Sequence, residues 1–114
     1  MSGFEAVHAA LRAIMLEVAP GLTIAKDAPG TLELRTAAID PKTKQPGWFG
    51  AVTTKKSYVA YHLIPLYDDP ALGDGMSAAL AKRRQGKSCF NFKTVEPELF
   101  AELADLTRRA RAAV

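Results

Sequence analysis

The hydrophobic period of the chain changes near residue 22, and this change constrains the fold more than any other feature of the sequence. Before that point, apolar residues such as Phe4, Val7 and Leu11 recur at helical spacing, and Pro20-Gly21 ends the run. This pattern predicts an amphipathic N-terminal helix. From residue 22 onward, apolar and polar residues alternate, as they do in a half-buried strand. A helix followed by successive strands is typical of an α+β domain with an antiparallel sheet.

Two hairpins and one later strand account for the predicted sheet. Pro29-Gly30 supplies the turn residues of a first hairpin within residues 22–34. The segments 48–54 and 57–64 are joined by a short polar link and predict a second hairpin. Residues 88–92, with the sequence SCFNF, return to strand character. The sequence therefore predicts an antiparallel sheet of about five strands.

Two further helices follow the second hairpin. Residues 77–84 are predicted as a short helix that stops at Gly86, after a loop over residues 68–76. Glu96-Pro97 begins the final helix, because proline is favoured in the first helical turn. The N- and C-terminal helices each carry one apolar stripe, so we expect both to pack on one side of the sheet. The prediction is a single α+β domain over residues 1–114.

Composition narrows the classes of function. No apolar run approaches the roughly 20 residues that cross a bilayer, and the N-terminus lacks the features of a signal peptide. The single cysteine, Cys89, excludes an internal disulfide and fits a reducing compartment, so a cytoplasmic location without membrane association is predicted. The net charge of +3 is modest and aromatic residues do not interleave with the bases, so nucleic acid is not favoured as a partner.

The segment Gly86-Lys87-Ser88 resembles the end of a phosphate-binding P-loop. That motif requires an earlier glycine where this chain has Ala81, and a strand before it with a helix after it. The predicted order here is the reverse, so we reject a P-loop. Two interpretations remain: basic residues and Gly86 that end a helix, which is the simpler one, or an anion site formed by Lys87, Ser88 and one or two arginines.

The strand at residues 57–64 has two distinct faces. Its alternation places Val59, Tyr61 and Leu63 on one face and Tyr58, Ala60, His62 and Ile64 on the other. Aromatic residues concentrate in and after the second hairpin, at Trp48, Phe49, Tyr58, Tyr61 and Tyr67. We expect most of them in the core and a few lining a pocket beside Lys87 and Ser88.

Cys89 and the two histidines, His8 and His62, are the candidates for nucleophilic chemistry or zinc binding. Cys89 would be a nucleophile only with His8 or His62 beside it and an acid to orient the histidine. Its apolar strand favours a buried, unreactive thiol. The spacing of the two histidines and Cys89 does not match a structural zinc site. No catalytic residue and no cofactor is predicted.

Two groups of acids offer weak metal ligands. Asp68, Asp69 and Asp74 fall in one predicted loop without the alternation of a calcium site. The final helix carries Glu98, Glu102 and Asp105 on one face, and the arginines that follow make ion pairs on a solvated surface the plain explanation.

Four sequence blocks together resemble the YdhG-like family of small domains of unknown function. They are WFGAV, SYVAYHLIPLYDDP, KRRQGKSCFNF and VEPELFAELADLTRRA, and the resemblance spans residues 22–110. The resemblance implies an α+β fold of this layout. Some relatives are described as frataxin-like iron chaperones, a role that implies an acidic ridge on a helix. The first helix here carries only Glu5 and Glu17, so no metal ligand is transferred from the family.

The sequence thus predicts a small non-enzymatic binding or accessory domain, a monomer or weak homodimer. Its predicted working surface is the basic turn Lys82–Ser88 with the aromatic hairpin, and its predicted partner is a small anion or an acidic protein surface. The alternative is an iron chaperone. The candidate ligand-binding residues are Arg83, Arg84, Lys87, Ser88, Tyr58, His62 and Tyr67.

Overall fold

The computed structural model describes residues 3–17, 22–39, 44, 46–68, 70–73, 75–86 and 88–112. The helices are α1 (Gly3–Glu17), α2 (Pro65–Asp68), α3 (Ala78–Ala81) and α4 (Pro97–Ala112), with a 3-10 turn at Pro70–Gly73. The strands are β1 (Thr23–Ala28), β2 (Thr31–Ile39), β3 (Pro46–Thr54), β4 (Val59–Leu63), β5 (Arg84–Gln85) and β6 (Cys89–Phe92). Within these ranges no helix combines the length and apolar character needed to cross a bilayer. The predicted helix stop at Pro20-Gly21 lies outside the described residues.

The strands form one antiparallel sheet in the order β1-β2-β3-β4-β6-β5. Both predicted hairpins are present, and Gly30 takes a positive φ of 80° in the turn between β1 and β2. A β carbon would strain that left-handed conformation, which explains glycine at this position. The sheet confirms the predicted α+β class, with six strands instead of about five.

One face of the sheet carries the core. The inward side chains of β4 are Val59, Tyr61 and Leu63, as the alternation predicts, and all are fully buried. Helix α4 packs on this face through a hydrogen bond between Tyr61 and Thr107 and an edge-to-face contact between the Phe92 and Phe100 rings. Helix α1 packs on the same face and buries Val7, Leu11 and Met15. The prediction of both long helices on one side is confirmed.

The predicted helix over residues 77–84 is wrong beyond Ala81. Ser77 does begin it, because its hydroxyl accepts a hydrogen bond from the Leu80 N–H at 3.1 Å. The chain then leaves the helix, and Arg84–Gln85 pairs with β6. Gly86, with φ of 71°, sits in the turn between these two strands instead of capping a helix.

The region after β4 is also more ordered than predicted. The sequence predicts a loop over residues 68–76. In the structure, Asp68 is the last residue of α2, and Pro70–Gly73 form a 3-10 turn. Helix α4 contacts both this turn and α3. The described parts of the connection therefore pack beside α4.

Candidate functional site

The face of the sheet opposite the two long helices is called here the open face. A row of directly paired residues crosses all six strands on this face: Lys26, Glu33, Ala51, His62, Cys89 and Gln85. Because side chains alternate along a strand, this row points away from Tyr61 and the core. Glu33, Ala51, His62 and Cys89 are all partly exposed. The open face is thus a mixed polar and apolar surface in contact with solvent.

A hollow of about 300 Å³ lies on the open face. It is lined by Glu33, Trp48, Gly50, Ala51, Thr53, His62 and Ile64. The pairing register explains its shape, since Ala51 on β3 lies between Glu33 on β2 and His62 on β4. The small Ala51 side chain forms a floor between two longer side chains. Neighbouring strands are about 4.8 Å apart, so the backbones of Glu33 and His62 lie roughly 10 Å from each other.

A β-bulge places Trp48 at one end of the hollow. Leu34 pairs with Gly50, but the next residue, Arg35, pairs with Trp48, so Phe49 is an extra residue on β3. Phe49 is fully buried, whereas Trp48 turns outward and keeps 42% of its surface exposed. The Arg35 guanidinium lies 3.6 Å from the centre of the Trp48 ring, a cation–π contact. The bulge therefore delivers a large aromatic side chain to the open face.

His62, Cys89 and Asn91 form a short polar chain beside the hollow. The Cys89 S–H donates to Asn91 Oδ1 at 3.3 Å, and His62 Nε2 lies 3.7 Å from Cys89 Sγ. Because the thiol hydrogen is directed to Asn91, the sulfur can only accept from His62, which assigns the hydrogen to Nε2. His62 Nδ1 is then a hydrogen-bond acceptor.

Burial keeps both groups neutral near pH 7. It lowers the pKa of His62, and the nearby positive charge of Lys55 lowers it further. Burial raises the pKa of the Cys89 thiol, and Lys55 opposes that rise. The structure thus brings together the histidine and cysteine that a thiol nucleophile requires, but the shifts work against a thiolate–imidazolium pair.

Cys89 is expected to alkylate slowly. At pH 7.5 iodoacetamide should react more slowly with the folded protein than with the urea-unfolded chain, because burial disfavours the thiolate. Lys55→Gln should slow the reaction further at low salt, since it removes the charge that lowers the pKa of the thiol. Lys56→Gln is the matched control, and mass spectrometry measures the rates. Faster reaction of the folded protein would show an activated thiol instead.

The structure separates most of the sequence-predicted ligand residues. Arg83 makes a two-point ion pair with Glu96, at 2.9 and 2.8 Å, so its guanidinium holds the loop before α4. Arg84 lies on β5 opposite Phe90, on the side away from the open face. Ser88 is partly buried, and its carbonyl accepts from the Leu63 N–H at 2.8 Å. Lys87 lies outside the described residues.

The aromatic members of the prediction are also dispersed. Tyr58 is partly buried in the turn before β4, where its carbonyl accepts from the Lys55 N–H at 2.7 Å. The backbone of Tyr67 belongs to α2, and its side chain is outside the described part. Of the predicted residues, His62 is the one that lines the hollow within the described ranges.

The acids predicted for the iron alternative fall into two groups. Among the residues the structure describes, no three His, Cys, Asp or Glu side chains are grouped so that they could hold a metal ion. Glu102 accepts hydrogen bonds from Ser77, and Asp105 pairs with Arg109 at 3.3 Å, as a solvated helix face predicts. Asp69 and Asp74 lie outside the described residues, so the loop half of the prediction stays a prediction.

Comparison with known protein families, with curated proteins and with solved structures gave no significant match. The resemblance to the YdhG-like family therefore rests on the four sequence blocks alone. What the fold and the site define is a class: a single α+β domain with helices on one face of a six-stranded sheet and a lined hollow on the other.

Proposed function

We propose that this protein is a non-enzymatic binding domain that holds a small molecule in the hollow of its open face. The observation that carries the proposal is the pairing of a concave, mostly apolar surface with an exposed tryptophan, Trp48. Large apolar side chains exposed beside a concavity are typical of binding sites. A half-exposed thiol at Cys89 suits a reducing compartment, so we also propose that the protein acts in the cytoplasm.

The size of the hollow favours a small molecule over a protein partner. Ligand pockets typically measure about 300–1,000 Å³, and this hollow is at the lower limit of that range. A stable protein interface instead buries roughly 800 Å² on each partner. The few polar groups around an Ala51 floor match a site that orients one compact ligand.

The chemistry of the groups in and beside the hollow favours binding over catalysis. Neutral His62 and the protonated Cys89 thiol are occupied with each other and with Asn91. Neither is poised as a nucleophile or an acid, because burial opposes the charged form of each. A molecule in the hollow would therefore be held without a covalent step.

A larger side chain on the floor of the hollow should weaken binding. We expect ligands from a fragment library, detected by protein-observed NMR, to bind Ala51→Leu at least about tenfold more weakly, because the larger side chain occupies the floor. Ala25→Leu is the matched control, since Ala25 is an exposed strand residue on β1. Isothermal titration calorimetry gives the affinities.

Two results would contradict the proposal. One is equal affinity of both variants for every fragment found. The other is that the fragments shift mainly the resonances of the basic turn, residues 82–88. That result would identify the predicted anion surface as the binding site instead.

A further inference from the structure

We propose that the hollow selects a small organic cation that carries N–H donors on a flat apolar body, such as an amidine or a protonated amine. This inference rests on the proposed function, because it assigns a ligand class to the same hollow. Three features of the lining lead to it: the charge, the hydrogen-bonding groups and the apolar surface.

The charge of the lining comes from Glu33. Of the described residues that line the hollow, Glu33 alone has a charged side chain, since His62 is neutral. Among the described residues, the Glu33 carboxylate makes no ion pair and no hydrogen bond. Lys26 pairs with Glu33 in the strand register, yet no ion pair joins these two described side chains. A cationic ligand would supply the partner that this carboxylate lacks.

The hydrogen-bonding groups of the lining are mainly acceptors. Glu33 can only accept, and the assigned tautomer makes His62 Nδ1 an acceptor as well. The Thr53 hydroxyl can donate or accept a hydrogen bond. An amidinium or ammonium group has donors and no acceptors, so it matches this set, whereas a carboxylate ligand would face acceptors of its own kind.

The apolar part of the lining defines the ligand body. Trp48 and Ile64 stand at one end of the Ala51 floor, and Thr53 at the other. The gap of roughly 10 Å between the flanking backbones, reduced by the Glu33 and His62 side chains, leaves room for one ring. A single aromatic ring with a charged substituent fits these dimensions.

Among the described residues, three cations lie near the hollow without lining it. Lys26 lies across from Glu33, Arg35 stacks on Trp48, and Lys55 acts on His62. These three charges weaken the attraction for a cationic ligand, and they would favour an anion if their combined field exceeded that of Glu33. The Glu33 carboxylate dominates because it would touch the ligand, whereas the three cations do not line the hollow and are screened by solvent. An anionic ligand is therefore the rival outcome of the test.

Three compounds of nearly equal shape separate these outcomes: benzamidinium, neutral benzamide and benzoate. Each is titrated into the protein at pH 7.5, and the emission of Trp48, the single tryptophan of the chain, reports binding. We expect benzamidinium to bind at least about tenfold more tightly than the other two, as a charge-assisted hydrogen bond implies. Glu33→Gln should remove this preference, and Glu98→Gln, an exposed carboxylate on α4, should leave it unchanged.

The other outcomes have distinct meanings. If all three compounds bind equally and Ala51→Leu weakens all of them, the hollow is a binding site but the assignment to a cation is wrong. Tighter binding of benzoate overturns the assignment in the same way. If none of the three perturbs Trp48 at millimolar concentration, the cation assignment is wrong, and the fragment titrations of wild type and Ala51→Leu decide whether the hollow binds any small molecule.

Discussion

Gly50→Ala should destabilise the protein by about 2–3 kcal/mol, because the structure has no space for a β carbon at residue 50. A β carbon there would lie 2.7 Å from the carbonyl oxygen of His62 and 2.7 Å from Cε of Met15. Met15 can move, but the carbonyl belongs to the neighbouring strand of the sheet. Urea unfolding followed by circular dichroism measures the loss.

Gly73→Ala is the control for Gly50→Ala. The nearest atoms to a β carbon at Gly73 would be side-chain atoms at ordinary contact distance: Met76 Cε at 3.4 Å, Arg84 Nη1 at 3.5 Å and Leu66 Cδ2 at 3.6 Å. Its stability should stay within about 0.5 kcal/mol of the wild type. Equal unfolding midpoints for the two variants would show that β3 and β4 do not approach each other as described.

Thr107→Val should cost about 2–3 kcal/mol, because it leaves a buried hydroxyl without a partner. The Thr107 hydroxyl donates to the Leu103 carbonyl at 2.7 Å, so the Tyr61 hydroxyl, 2.6 Å away, is the donor of their shared bond. Tyr61 is fully buried in the core. Valine would keep the shape of Thr107 and remove the acceptor.

Tyr61→Phe tests the direction of that bond. It removes the donor while Thr107 keeps its bond to Leu103, so we expect a smaller loss of about 1 kcal/mol. The double variant should be less destabilised than the sum of the single ones, since no buried hydroxyl is left unpaired. Additive losses in chemical unfolding would contradict a hydrogen bond between the two side chains.

The fold class followed from patterns that are local in the chain. The helical spacing of Phe4, Val7 and Leu11 and the alternation through Val59, Tyr61 and Leu63 depend only on which face of an element is buried. The structure retains these patterns because the buried face of each element is the one that carries its apolar side chains. The α+β layout with helices on one side was therefore predictable.

Strand β5 was not predictable in the same way. The segment from Ala78 to Arg84 has good helix formers throughout, and a local pattern favours continuing the helix. In the structure, pairing with β6 overrides that preference, and the Asn91 N–H donates to the Arg83 carbonyl at 2.8 Å. That partner lies beyond the turn at Gly86, outside the helix-forming segment, so the propensity of the segment alone gives the wrong element.

Of the residues that line the hollow, the sequence predicted His62 as a candidate ligand residue and Trp48 among the aromatic residues from which a pocket lining was expected. The lining requires the register of three strands, which brings Glu33, Ala51 and His62 into one row. It also requires the bulge that turns Trp48 outward; Gly47 and Gly50 flank that bulge, but they do not by themselves specify which residue it turns outward. The cluster of positive charge instead predicted a binding surface at residues 82–88, but Arg83 in this cluster forms an ion pair with Glu96.

NMR of the labelled protein titrated with the small-molecule fraction of a cell extract tests the central claim most directly. The account predicts saturable shifts of the Ala51 methyl and the Trp48 indole N–H, while Val95, exposed elsewhere on the chain, stays unchanged. Saturable shifts confined to residues 82–88, with Ala51 and Trp48 unmoved, would contradict it and place the binding surface at the basic turn.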